Sequence, residues 1–272
     1  MEEHPLWIVD AVNAVLGPPV AAMLDALGFH VEAGHPVIPN YLVMTMLIVA
    51  VVTVVCLVMK SRLSVENPGK FQILLEDAVM GVQGLLTEWI GPDGKRYLPV
   101  IATLGLFILI GNYAGLVPGL MAPTSNINVT VGLAITTWVY YHFQGFKKQG
   151  VVNYLKHFAV PPGAPVWMAP LMLVIELISH SSRLLSLSLR LFGNVYGEEL
   201  VVLIMASIVP FLVPLPMMFL GVITGSLQAY IFTLLTIIYL AGAVHTEHGH
   251  DDAHHNDHHA HGDSPAHAHA AA

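Results

Sequence analysis

Charge is scarce in this sequence. Only 10% of its 272 residues are charged while 55% are apolar; a soluble domain carries about 25% charged residues. So little polar surface excludes a soluble enzyme and a disordered chain. The ten Lys and Arg cannot build the basic surface that binding a nucleic acid requires. Cysteine is equally scarce. Cys56 stands alone, which excludes a disulfide framework and a Cys-ligated zinc site; it reads as a small apolar residue of a membrane helix. The first 59 residues contain no Lys or Arg, yet carry Glu2, Glu3, Asp10, Asp25 and Glu32. What remains is long apolar runs, the composition of an integral membrane protein.

The few basic residues orient those runs. Residues 41–59 are uncharged and close to the ~20 residues a spanning helix needs. Lys60 and Arg62 follow at once, so the positive-inside rule predicts an external N-terminus and a cytoplasmic 60–97 segment, which also holds Lys70, Lys95 and Arg96. Residues 98–120 then return outward through an uncharged connection, and 128–145 come back to the basic loop of Lys147, Lys148 and Lys156. Two further apolar stretches, 170–208 and 216–243, leave the C-terminus in the cytoplasm. The expected fold is an all-α integral membrane protein with about five hydrophobic segments. The last two form a long tilted helical hairpin, and amphipathic helices lie at the interfaces.

Three regions follow: an extracytoplasmic segment 1–40, a membrane domain 41–244, and a tail 245–272. Residues 5–29 are apolar but interrupted by Asp10, Gly17-Pro18-Pro19 and Asp25, and lack the basic flank of a cleaved signal peptide. They read as an interface-lying element, as does 66–93 with Glu66, Glu76, Asp77 and Glu88 on the inner face. The tail holds ten of the sixteen histidines and no aliphatic residue larger than Ala, so it reads as a solvated disordered cytoplasmic extension. Its imidazoles could also buffer protons or bind metal. No internal repeat supports an inverted-repeat transporter.

The segment 170–208 carries charges where they are costly, about 2.5–3.5 kcal/mol each at the bilayer centre on insertion scales. At about 100° per residue, Glu176, His180, Arg183 and Arg190 fall in one narrow sector. That face must meet protein or water. A salt-bridged interface would account for Glu176 and Arg183, directly or through His180. It does not account for Arg190, whose neighbours one turn away are Ser186, Leu187, Gly193 and Asn194; its anion should come from another element or another chain. From Pro170 to Ile208 a continuous helix would run about 58 Å through a hydrocarbon core only about 30 Å thick. It therefore either breaks near Gly193 and Gly197 or crosses steeply inclined. Pro210, Pro214 and Pro216 mark the turn into the last segment. Small residues at 179, 182, 186, 193 and 197, and again Gly221, Gly225 and Ala229, have the spacing that lets helices approach closely. Gln228 reads equally well as polar glue or as a channel residue.

The run Leu187-Ser-Leu-Arg190-Leu-Phe-Gly-Asn194, followed by Tyr196-Gly-Glu-Glu199 and by Leu227-Gln-Ala-Tyr-Ile-Phe232, resembles subunit a of the F-type ATP synthases, bacterial or plastid-like. Pro123-Thr-Ser-Asn-Ile-Asn-Val-Thr130 and Glu176 resemble it too, and the likeness covers roughly residues 40–243. It implies a stator subunit of the proton-translocating synthase in the bacterial inner membrane, not an enzyme on its own. Its partners would be a ring of c subunits, the b subunits of the peripheral stalk and the lipid bilayer, with no cofactor, metal or nucleic acid. Arg190 would be the gate facing the ring carboxylates, with Asn194 and Gln228 as polar neighbours. Glu199 would line an outer half-channel; Glu176, His180 and Arg183 could line an inner one. Many members carry a small residue where Glu198 stands and some carry His where Gly221 stands, so the resemblance leaves both Glu198 and Glu199 as candidate relays. A stand-alone transporter would need a substrate site and a counter-charge to Arg190 within the chain, neither of which the sequence offers. An intramembrane zinc enzyme would need more deep histidines than His180, the one such residue legible outside the tail.

Overall fold

The computed structural model describes residues 7–26, 36–64, 68–117, 119–152, 154, 166–208 and 214–244. All regular structure among them is helical. Seven α-helices follow in order: α1 (Trp7–Ala26), α2 (Asn40–Arg62), α3 (Lys70–Ile90), α4 (Leu98–Ala114), α5 (Ile127–Gln149), α6 (Ala169–Ile208) and α7 (Pro214–Val244). Short 3-10 turns lie at Pro92–Tyr97, Pro123–Ser125 and Val166–Met168. The tail, Pro210, Glu66 and Lys156 lie outside the described residues.

Among the described residues, five helices are long and apolar enough to span a membrane: α1 over Ile8–Ala26, α2, the stretch ending in α4, α6 and α7. Four of these are segments legible in the hydropathy of the chain. The fifth apolar segment, 128–145, does form a helix, α5, but one enriched in Thr, Tyr and His. The apolar helix that takes its place in the five is α1. Its Pro18 and Pro19 sit inside an unbroken helix, where the sequence suggested an interruption. Prolines remove donors without forbidding helical φ, and Asn13, one turn before Gly17, ties the helix down. Its amide donates to the Val9 and Ile38 carbonyls and accepts from the Ile38 N–H, at 2.9–3.0 Å. Val9, Ile38 and Val43 form the small apolar cluster beneath.

The hub is α7, which packs against α3, α4, α5 and α6. Its inner face carries Gly221, Gly225, Gln228, Ala229, Phe232 and Thr236. Small residues let these backbones close up. A Cβ on Gly105 of α4 would lie 2.6 Å from Thr233 Oγ1. The buried stripe of α5, Thr130, Ala134, Thr137, Tyr141 and Gly145, repeats every three or four residues and is turned towards α6 and α7. Hydroxyl-bearing and small residues suit such an interface, because lipid gives no hydrophobic drive between helices and association rests on packing and hydrogen bonds. On the α3 side, Leu86 lies under the Pro92–Tyr97 turn. There Gly94 approaches the Leu86 carbonyl too closely to admit a Cβ, and Gly91 turns at φ 91°.

Of the two courses open to the longest segment, the structure takes the unbroken one. α6 is a continuous helix of 40 residues through Gly193 and Gly197, about 60 Å long at 1.5 Å per residue. Pro214 and Pro216 stand in the first turn of α7, where a missing N–H costs no helical bond. The α6–α7 pair is antiparallel: Asn194 meets Gln228, and Arg183, eleven residues earlier, meets Tyr239, eleven residues later.

Candidate functional site

The sector of α6 that carries the ionisable residues straddles the edge of the bundle, and this divides its members. His180 points inward and is buried, Glu176 and Arg183 are half-buried, and Arg190 is exposed. One turn on, Leu187, Leu191 and Val195 fill the core against Phe232 and Ala229 of α7. The Arg190 guanidinium reaches only the Ser186 hydroxyl, at 3.4 Å, and among the described residues no carboxylate pairs with it.

The small residues of the two helices separate into two kinds. A Cβ added at Gly193 or Gly197 would meet no atom within 4 Å, so nothing in this chain requires glycine there. At Gly221 a Cβ would overlap Glu198 Oε1 and lie 2.9 Å from Leu116 Cδ2, and at Gly225 it would come within 3.3 Å of Asn112 Cβ. The α7 glycines thus serve packing within the chain, whereas the α6 glycines leave a smooth open face beside Arg190.

From the level of Asn194 towards the α6–α7 turn, a cavity of about 520 Å³ opens between α4, α6 and α7. It brings together Asn194, Glu198, Glu199 and Gln228, four of the eight residues singled out in the sequence. Glu199 Oε1 accepts from the Ala122 backbone N–H at 3.1 Å, fixing it to the turn before α5. Glu198 occupies the space that Gly221 leaves. The Asn194 amide donates to Gln228 Oε1 at 2.7 Å, while the buried Gln228 Nε2 has no acceptor among the described residues. Asn112 completes the lining: it accepts from Thr124 Oγ1 at 2.8 Å and donates to the Gly225 carbonyl at 3.2 Å. Nothing in the sequence singled out Asn112, because a lone Asn in an apolar helix reads as ordinary polar glue.

The other three residues meet near the opposite end of α6. Glu176 does not pair with Arg183. It accepts from His180 Nε2 at 3.1 Å, and the Arg183 guanidinium lies over the Tyr239 ring, 5.4 Å from its centroid. Glu176 and His180 stand four residues apart, one helical turn, which brings their side chains together, and Arg183 takes the Tyr239 ring instead. His180 Nδ1 in turn meets the Tyr141 hydroxyl at 2.9 Å. His142 is buried beside it, 5.0 Å between ring centroids, and its Nδ1 lies 2.8 Å from the Tyr154 hydroxyl. His180 is therefore not the lone deep histidine that the sequence suggested. His142 escaped notice because it precedes a basic loop, and only its α5 register turns it inward. Tyr154, past the end of α5, has its phenol pushed up to about 12, chiefly by burial, and stays a neutral hydroxyl. Among the described residues no group of three His, Cys, Asp or Glu could hold a metal ion.

A family model described as "ATP synthase A chain" matches residues 42–241. ATP synthase subunit a of Geotalea daltonii is 45% identical over 206 residues, 76% of this chain and 87% of the relative. Subunit a of Geobacter sulfurreducens is 41% identical over 246 residues, 90% of this chain and 99% of the relative. Subunit a 1 of Syntrophotalea carbinolica is 43% identical over 225 residues, 83% and 90% respectively. With the matched segment spanning most of the membrane helices, the cavity and Arg190, the chain belongs to the ATP synthase A chain family.

Proposed function

We propose that this chain is the membrane stator of a bacterial proton-translocating ATP synthase, and that Arg190 is the gate between two half-channels that load and unload a rotating c-subunit ring. The observation that carries the reading is Arg190 itself: a permanent cation on an open face of small residues, with no carboxylate paired to it among the described residues. A ring of carboxyl-bearing helices supplies the missing anion, and Gly193 and Gly197 let those helices come close. A carboxyl facing Arg190 is held ionised and gives up its proton; once past, it is reprotonated and, being neutral, can turn through lipid. Arginine suits the position because it keeps its proton at any physiological pH, whereas a buried lysine can lose it and leak.

The cavity supports the outer half-channel. Its carboxylates lie about 13 Å from Arg190 along α6, at nine residues of 1.5 Å rise, and the unsatisfied Gln228 amide calls for water within it. On the inner side the path is built of side chains, Glu176 and His180, with Arg183 alongside. Each proton crossing the membrane gains about 2.3 kcal/mol per 100 mV, so several per turn drive rotation. The chain itself catalyses no ATP chemistry. It lies in the inner membrane with residues 1–40 outside, the membrane domain 41–244, and the tail 245–272 in the cytoplasm. The b subunits of the peripheral stalk hold it against the torque.

The test is Arg190→Lys in the assembled complex. ATP synthesis driven by a proton gradient in inverted vesicles should be lost while the c-ring and b subunits still co-purify. Synthesis at the parental rate overturns the assignment.

A further inference from the structure

The hydrogen bonds around His180 define the state of its ring. A carboxylate can only accept, so Glu176 Oε1 takes the proton on Nε2 at 3.1 Å. In the neutral ring Nδ1 is then bare, and the Tyr141 hydroxyl at 2.9 Å must be donating to it. A hydroxyl can also accept. When His180 takes up a proton at Nδ1, Tyr141 can turn its O–H away and receive that N–H, so the buried nitrogen is satisfied in both states. Serine or threonine on α5 would be too short, and Phe would leave Nδ1 against an apolar ring edge.

The surroundings hold this arrangement in place. The His142 ring packs 4.3 Å from Tyr141 and 5.0 Å from His180, centroid to centroid, and is anchored by Tyr154 at 2.8 Å. These tilted rings pack around the resting orientation, in which Nε2 faces Glu176. The charged and titratable groups facing the pair are Glu176 and Arg183 from α6, His142 from α5, Tyr239 from α7, and Tyr154. The His180 side chain is 8% exposed and that of Glu176 40%, so a proton on the histidine leaves by way of the glutamate.

We propose that Tyr141 is a positioning residue of the inner proton path: its hydroxyl selects the His180 nitrogen presented to Glu176 and follows the ring through both protonation states. The inference rests on Glu176 and His180 being the inner path. In each transfer Nδ1 gains a proton released by the ring carboxyl, Nε2 gives its own to the Glu176 carboxylate, Glu176 returns it to cytoplasmic water, and a turn of the imidazole brings the protonated nitrogen back to Glu176.

The test uses the assembled synthase, with passive proton conduction measured after the catalytic head is stripped from inverted vesicles, across a range of cytoplasmic pH. Tyr141→Phe should lower conduction by about tenfold, the ratio corresponding to one buried hydrogen bond, and should change its pH dependence. Tyr141→Phe with His180→Gln should be no slower than His180→Gln alone. Tyr141→Gln, which restores a group able to donate and to accept, should recover part of the flux. Parental conduction and pH profile in Tyr141→Phe, beside an impaired His180→Gln, overturn the role of Tyr141. So do additive losses in the double variant, or no recovery with Tyr141→Gln. Parental conduction in His180→Gln instead overturns the inner path, and this inference with it.

Discussion

At the residue scale, two adjacent glutamates on α6 are held differently. Glu199 is fixed by the Ala122 N–H, whereas Glu198 fills the space beside Gly221. An amide in place of Glu199 can still accept that bond but cannot carry a proton. Glu199→Gln should therefore leave the complex assembled and slow ATP-driven proton pumping by about a hundredfold, the scale of losing one proton-transfer group. Glu198→Gln should slow it less, because water in the cavity still reaches Glu199. Pumping followed by a pH-sensitive dye in inverted vesicles separates the two. Equal losses would make the glutamates a coupled pair. That both acids line one cavity could not be read from their adjacency: on a helix, neighbours in sequence stand about 100° apart, and it takes α4 and α7 to close a wall around both.

At the element scale, the glycines of α6 and α7 look alike in sequence and differ in the fold. Gly193→Ala should leave α6 intact or stabilise it by up to about 1 kcal/mol, since glycine is the poorer helix former and the new methyl group meets nothing within 4 Å. Gly193→Leu should keep this chain folded yet abolish co-purification of the c-ring, because the added bulk stands on the face proposed to meet the ring. Gly221→Ala should do the reverse, retaining the ring while forcing Glu198 aside and slowing pumping. Retention of the ring by Gly193→Leu, scored by native gel and pumping assay, would show that the ring lies elsewhere. The length of α6 was legible from its apolar run, but its continuity was not. Gly193 and Gly197 are individually poor helix residues, and the contacts of their neighbours Leu191 and Val195 with the core help to keep the helix continuous through them.

At the scale of the whole molecule, every cluster of Lys and Arg falls on one side of the proposed topology, and the histidine-rich tail falls with them. Protease added to inverted vesicles should remove the tail, and protease added to right-side-out vesicles should not; the opposite pattern reverses the orientation. Removal of residues 247–272 should leave ATP synthesis at the parental rate, because the described residues of the cavity and of the His180 cluster all precede the tail. A large loss would give the tail imidazoles a part in proton supply.

The sequence by itself determined the membrane setting and the helical class, pointed to the proposed inward side and singled out Arg190. Each follows from local cost: a scarce charge in an apolar run is expensive wherever the chain folds, and basic loops stay in the cytoplasm. Only the tertiary structure decided which charges find a partner within the described residues and which do not. It turned Glu176 to His180 rather than to Arg183, brought Tyr141 and His142 from α5 to that pair, and closed the cavity over Glu198, Glu199 and Gln228. These are contacts between helices far apart in the chain. They depend on the register and rotation of each helix against the α7 hub, which helical periodicity within any one segment does not fix.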